Sequence, residues 1–349
     1  MKIAILTLPL HTNYGGILQA YALQTVLERM GHSVDVLQKV PPEARNKFRG
    51  LLRLIVSIPS KFARRHIRKF INSNLHLRGI KSLYEIDSHD YDAIIVGSDQ
   101  IWRAKYFRDS WSAPVKDAFL EFTNGWDIRR ISYAASFGLD DLSEFSEIEI
   151  KECKSAISRF DLVTLREDSG KKMCDKVFNK IGVHVLDPTM LLTKQDYINL
   201  IQVSNTSKSS GNLFCSILDP SDLKRHLVEK IAAEKNLKIF YGIATPDKNR
   251  WFKHTIPSIE SWLRGFMDAD LVITDSFHAC VFSIIFGKPF VAIGNTNRGA
   301  TRFTSLLNLF GLEGNLIAEN SLIYPNHVKI ADPILLEKYR QNSLTYLNI

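Results

Sequence analysis

Several short stretches of this sequence carry side chains suited to acid–base or anion chemistry, and most of them follow an apolar run. Thr274-Asp275-Ser276-Phe277-His278 ends in a histidine, the side chain that titrates nearest neutrality and so suits proton transfer. Arg166-Glu167-Asp168-Ser169 offers a guanidinium whose planar fork matches a carboxylate or phosphate. Gly97-Ser98-Asp99-Gln100-Ile101-Trp102 sets polar groups beside Trp102, whose flat ring suits a sugar. In Asn13-Tyr14-Gly15-Gly16, Gly15 and Gly16 let the backbone approach a ligand, and N–H groups at a helix start favour an anion. Ser136-Phe137-Gly138 adds a hydroxyl, and Arg298 and Arg302 bring positive charge after the strand that follows His278.

Each stretch also has a plainer reading. His278 can be a satisfied structural histidine, Arg166 a partner of Glu167 or Asp168 in a surface ion pair, and Asp99 the cap of the next helix. The glycines of 13–16 fit a tight turn, and the stretch is neither a G-x-G-x-x-G fingerprint nor a P-loop, which needs G-K-[ST].

The elements that must position these groups alternate. Residues 2–8 read as a buried strand, a helix begins near Ile17, Gly31 stops it, and Ser33–Leu37 gives a second strand. Further strands are read at Asp92–Gly97, Arg130–Gly138, Leu162–Arg166 and Val183–Asp187. Beyond Pro188 the same grammar returns, with strands at 212–218, 238–241, 271–274 and 289–293 and helices between them. Strand–helix alternation implies parallel sheets with right-handed crossovers, so the fold class is α/β, two Rossmann-like domains facing across a cleft. A chain of 349 residues exceeds what one core usually serves. The domains are placed at 1–187 and 188–325, with 326–349 a helical segment that packs back on the first.

Hydrophobic residues at 45% and charged residues at 23% are ordinary globular values. Cys153, Cys174, Cys215 and Cys280 are scattered without C-x-x-C spacing, as expected of free thiols in a reducing compartment. The first residues lack a signal-peptide cleavage pattern, and no run approaches a membrane span, which predicts a cytoplasmic protein. The net charge of +8 is concentrated in one place: 44–84 holds eleven Lys or Arg and no Asp or Glu, leaving 34 basic against 37 acidic residues elsewhere. That stretch reads as helical hairpins or a lid whose cations, within 45–69, suit an anionic membrane surface or else a solvated face. Nucleic acid is the weaker option for this stretch.

Taken in order, the motifs at 13–16, 97–102, 166–169 and 274–278, with Phe282-Ser283-Ile284-Ile285-Phe286-Gly287-Lys288-Pro289, make the chain resemble the polysaccharide pyruvyl transferases from residue 2 to about residue 310. The resemblance implies a glycosyltransferase-B-like domain pair that transfers pyruvyl from phosphoenolpyruvate to two hydroxyls of a sugar, giving a cyclic ketal. It implies no metal or organic cofactor. His278 would be the acid–base residue and Arg166 the anion clamp. Asp99, Gln100 and Trp102 would line the acceptor side near Asn13, Gly15 and Gly16, with Ser136 among the substrate contacts. The acceptor would be a polyprenyl-diphosphate-linked oligosaccharide at the inner membrane face. Many family members carry an Arg where this chain has Ser276, so Arg298, Arg302 or Lys288 must take that phosphate contact, or the donor binds differently. Two alternatives remain open, a nucleotide-sugar glycosyltransferase and a non-catalytic binding protein.

Overall fold

The computed structural model describes residues 1–40, 63–242, 256–295 and 300–349. Its first sheet holds β1 (Lys2–Leu6), β2 (Ser33–Lys39), β3 (Leu77–Ile80), β4 (Ala93–Val96), β5 (Arg129–Ala135), β6 (Leu162–Leu165) and β7 (Val183–His184). They are parallel in the order β3-β2-β1-β4-β5-β6-β7. The second holds β8 (Leu213–Ser216), β9 (Ile239–Tyr241), β10 (Leu271–Thr274), β11 (Phe290–Ile293) and β12 (Leu316–Ile317). They too are parallel, in the order β12-β11-β10-β8-β9. Sheets covered on both faces need strands that are apolar throughout, and β4, β8, β10 and β11 are buried at every position.

Both sheets reverse direction near their centres. The switch lies between β1 and β4 in the first and between β8 and β10 in the second. Such reversals open a crevice at the carboxyl ends of the strands. Two helices start there. Tyr14–Arg29 follows β1, and Phe277–Phe286 follows β10 with all ten residues buried, ending at Gly287 in the left-handed conformation that suits a helix stop.

The two halves share one core. A single apolar cluster runs from Ile17 and Leu18 through Tyr197 to Trp262, Phe266 and Phe282. The Pro333–Thr345 helix returns to the junction, where Leu186 N donates to Ser343 Oγ at 3.0 Å and Arg340 Nε donates to the Met190 carbonyl at 2.8 Å.

The stretch 44–84 is a correction in part. Residues 41–62 lie outside the described set, and the rest forms a helix, Arg65–Asn74, and then β3 instead of a second helix. That helix buries Ile67, Phe70 and Ile71 and leaves Arg65, Arg68 and Lys69 exposed.

Candidate active site

The two switch points place their loops against each other, and His278 lies at the contact. It is the second residue of the Phe277–Phe286 helix and only 6% exposed. Its Nε2 is 3.5 Å from Asp187 Oδ2 and 3.5 Å from Arg166 Nη1. Its Nδ1 faces the other helix start: a Cβ on Gly15 would come within 2.0 Å of that nitrogen. Glycine at 15 is thus a requirement of the imidazole.

Asp187 was not anticipated as a site residue. It follows β7, is fully buried, and ties the cluster together. Oδ2 accepts from Arg166 Nη1 at 2.8 Å and Ser98 Oγ at 3.2 Å, while Oδ1 accepts from Thr189 N at 3.0 Å and Thr189 Oγ1 at 2.7 Å. Burial pushes its carboxyl up, but His278 and Arg166 outweigh burial and hold it well below the usual carboxylate range. Arg166 is buried too and stays charged: burial opposes its charge, and Asp187 and Asp99 more than offset that. Its Nη2 lies 3.6 Å from Asp99 Oδ1, and neither Nε nor Nη2 makes a hydrogen bond. Buried donors left unmade this way point to a site whose charges are held for something else.

Asp99 has φ of +62°, unusual for a residue with a Cβ. That turn lets its carbonyl accept from Ser136 N at 3.1 Å and its Oδ2 from Asn13 Nδ2 at 3.2 Å. A Cβ on Gly16 would crowd the same two side chains.

Two cavities flank the imidazole. One, about 260 Å³, is walled by Asn13, Asp99, Gln100, Ser276, His278 and Arg302, among others. Arg302 is 5% exposed; burial first, and Arg166 second, lower its pKa to about 10. Both guanidinium groups sit near the Phe277 ring, at 4.5 Å for Arg166 and 5.6 Å for Arg302. Buried Glu167 accepts from Phe137 N at 2.9 Å; burial raises its pKa against the pull of Arg166 and Arg302. The other cavity, about 330 Å³, shares Thr12, Asn13, Leu218 and Ser276 with the first and extends to Tyr14, Gly15 and Trp262.

The model of the family described as polysaccharide pyruvyl transferase matches residues 13–297. The chain belongs to the polysaccharide pyruvyl transferase family. A search of curated proteins finds no match. Among solved structures, the UDP-GlcNAc 2-epimerase from Neisseria meningitidis bound to UDP-GlcNAc is similar, with a TM-score of 0.51 and 9% identity over 100% of this chain and 94% of that one. The UDP-GlcNAc 2-epimerase from Methanocaldococcus jannaschii gives 0.51 and 11% over 100% and 93%. Arabidopsis thaliana UGT89C1 complexed with UDP-L-rhamnose gives 0.51 and 10% over 99% and 94%. At such identities the likeness is one of fold, a glycosyltransferase-B-like pair of parallel-sheet domains.

Of the residues anticipated for this pyruvyl transferase family member, Asn13, Gly15, Gly16, Asp99, Gln100, Ser276, His278 and Arg302 reach the two cavities or pack against their walls. Arg166 touches His278 but stands behind the cavity lining. Trp102 is a correction. It is fully buried, stacks on Phe119 at 4.8 Å and donates Nε1–H to the Ala118 carbonyl at 2.9 Å, so it offers no face to a sugar. Ser136 is likewise inside, its Oγ accepting from Gly138 N at 3.1 Å. Lys288 is excluded from the phosphate role: its Nζ donates at 2.8 Å to the Ala269 carbonyl, ahead of β10 and at the end of the sheet away from the cleft. Arg298 lies outside the described residues. The four cysteines are buried free thiols. No helix among the described residues is long and apolar enough to cross a membrane.

Proposed function

We propose that the protein transfers the pyruvyl group of phosphoenolpyruvate to two hydroxyls of one sugar, forming a cyclic ketal and releasing phosphate. The observation that carries this reading is His278 beside two buried arginines at the meeting of two helix N-termini, in a chain of this family. The 260 Å³ cavity holds the donor. Arg302 on its wall contacts the anion directly. Arg166 acts from behind, fixing Asp187 and adding positive potential.

His278 moves the protons. Asp187 beside Nε2 favours a proton there and orients the ring, which leaves Nδ1 to give and take on the Gly15 side. A proton delivered to C3 of the enol leaves positive charge at C2. One sugar hydroxyl adds at C2 and returns its proton to the imidazole. Phosphate departs, the second hydroxyl closes the ring at the same carbon, and its proton leaves with phosphate or the base. Donor plus diol equals ketal plus phosphate, with no oxidant or reductant.

The acceptor is a sugar of a polysaccharide repeat unit on a lipid diphosphate, approached from the inner membrane face. The exposed Arg65, Arg68 and Lys69, on a helix that adjoins the cleft, suit an anionic bilayer. Binding to phosphatidylglycerol vesicles is expected to weaken as salt rises and to vanish when these three become Glu; salt-insensitive binding sinks the membrane part.

The deciding experiment incubates the protein with phosphoenolpyruvate and lipid-linked oligosaccharide extracts, then reads inorganic phosphate and product mass. Phosphate release with a mass gain of one pyruvic acid less water is expected, absent in His278→Ala. Release of a nucleoside diphosphate from a nucleotide sugar instead identifies a glycosyltransferase.

A further inference from the structure

The second cavity has chemistry of its own. At about 330 Å³ it falls within the range of small-ligand sites. Two aromatic rings wall it, Tyr14 and Trp262, 5.5 Å apart and tilted by 45°. Their polar ends are already engaged. Tyr14 OH donates to the Pro257 carbonyl at 2.6 Å, and burial, then Glu260, push its hydroxyl well above the usual range. Trp262 Nε1 donates to Ser216 Oγ at 3.1 Å, which leaves the Ser216 proton free to reach the cavity. Rings with occupied polar tips beside hydroxyls that can still donate are what a pyranose needs: apolar C–H faces against rings, hydroxyls against hydroxyls.

At the mouth stands Arg64. It lines this cavity, is exposed, and forms no ion pair among the described residues. The backbone beside it is fixed: the carbonyl of neighbouring Ala63 accepts from Ile256 N, across the cleft, at 3.0 Å. Its charge is felt nearby, since burial first and Arg64 second depress the imidazole of His11. Among the described residues no carboxylate lines this cavity. An anion is therefore welcome at one place in the second cavity, its rim.

We propose that this cavity is the acceptor subsite, holding a sugar between Tyr14, Trp262 and Ser216 while Arg64 grips a phosphate attached to that sugar. It rests on the transfer reading above, and it supplies the side from which a hydroxyl meets His278 Nδ1 across Gly15. The sugar phosphate can come from a lipid diphosphate carrier or from a nucleotide sugar, and Arg64 reads the chemistry they share.

Calorimetry on the full chain at low salt tests it. The probes are the 1-phosphates of glucose, galactose and mannose, the three free hexoses, inorganic phosphate and phosphoenolpyruvate. At least one hexose 1-phosphate should bind about tenfold tighter than its free sugar and than inorganic phosphate. Arg64→Gln should erase that margin, Arg64→Lys should keep part of it, and neither should change phosphoenolpyruvate affinity. Hexosyl farnesyl diphosphate and UDP-hexose then separate the two sources by which shows the larger Arg64-dependent gain. Equal binding of sugars and their phosphates, an unchanged margin in Arg64→Gln, or no binding by any sugar phosphate overturns the proposal. Loss of phosphoenolpyruvate binding alone, with the Arg64 margin intact, removes the donor reading and leaves this subsite standing.

Discussion

Two buried cation–carboxylate pairs sit on opposite sides of the cleft and differ in how completely they are satisfied. In the second domain, Asp275 accepts from Leu218 N at 2.6 Å, Asp219 N at 3.1 Å and Lys224 Nζ at 2.9 Å, and Lys224 also donates to the Asp219 carbonyl at 2.9 Å. All of these partners belong to one domain, and the pair pins the loop after β8. In the first domain, Arg166 and Asp187 reach across to His278 and leave two guanidinium nitrogens without hydrogen bonds. A saturated pair fixes a loop; an unsaturated one that spans the halves keeps potential in reserve for a ligand.

The contrast is open to attack by mutation. Asp187→Asn keeps the size and the contact to Thr189 but removes the charge beside the imidazole. Turnover is expected to fall about a thousandfold, as for an oriented acid–base pair, and the melting temperature to fall as well, because buried Arg166 loses its carboxylate partner; an unchanged kcat ends the idea that Asp187 positions His278. Its depressed pKa gives a sign for pH: the ionic contribution to stability is full above about pH 5 and is lost only as acid drives pH down through the lowered value. The stability gap between wild type and Asp187→Asn, read by thermal melts, should thus shrink as pH falls below the unfolded carboxylate value toward the lowered one.

Gly15→Ala comes next. It drives a methyl into the His278 ring, and a displacement near 1 Å is worth about a hundredfold in rate. Steady-state kinetics that show no loss would mean that the ring is not held where turnover needs it.

Lys224→Met separates stability from turnover. It strands the Asp275 charge at a cost of about 3–5 kcal/mol, seen as a melting point lower by roughly 10 °C. Turnover per folded molecule should change far less than in Asp187→Asn. Equal losses of both kinds in both variants would erase the distinction.

The smallest effect lies away from the cleft. Burial raises the Asp117 carboxyl to about 6, against the hydrogen bond from Tyr84 and the charge of Lys116. A carboxyl raised on folding withdraws stability as pH climbs from its unfolded value through 6. Asp117→Asn should therefore raise the melting temperature by about 3 °C at pH 8 and not at pH 4.

Much of this was legible in advance because parallel strands are long apolar runs with chemistry at their ends. β1, β4, β8, β10 and β11 and the histidine after β10 follow from that rule. The short strands do not: β12 has two residues, and β3, with Gly79 in a cationic stretch, lacks the pattern. Asp187 obeys the same rule as His278 and is detectable by it, since it closes an apolar run before a proline. It looked like a domain boundary because nothing local shows that a carboxylate there will face a histidine 91 positions on. Trp102 fails in the opposite direction. It follows a strand end, yet a cluster with Phe119, Phe137 and Phe160 claims the ring, and such packing is set by residues remote in sequence.

The last helix adds leverage from outside the cleft. Ser343 takes the N–H of Leu186, one peptide ahead of the carboxylate that contacts His278. A lesion at Ser343 would therefore reach the Asp187 backbone over one peptide unit, although Ser343 stands 157 positions beyond Leu186 in the chain. Screens for inactive variants should recover hits in that helix that leave every cavity-lining side chain untouched.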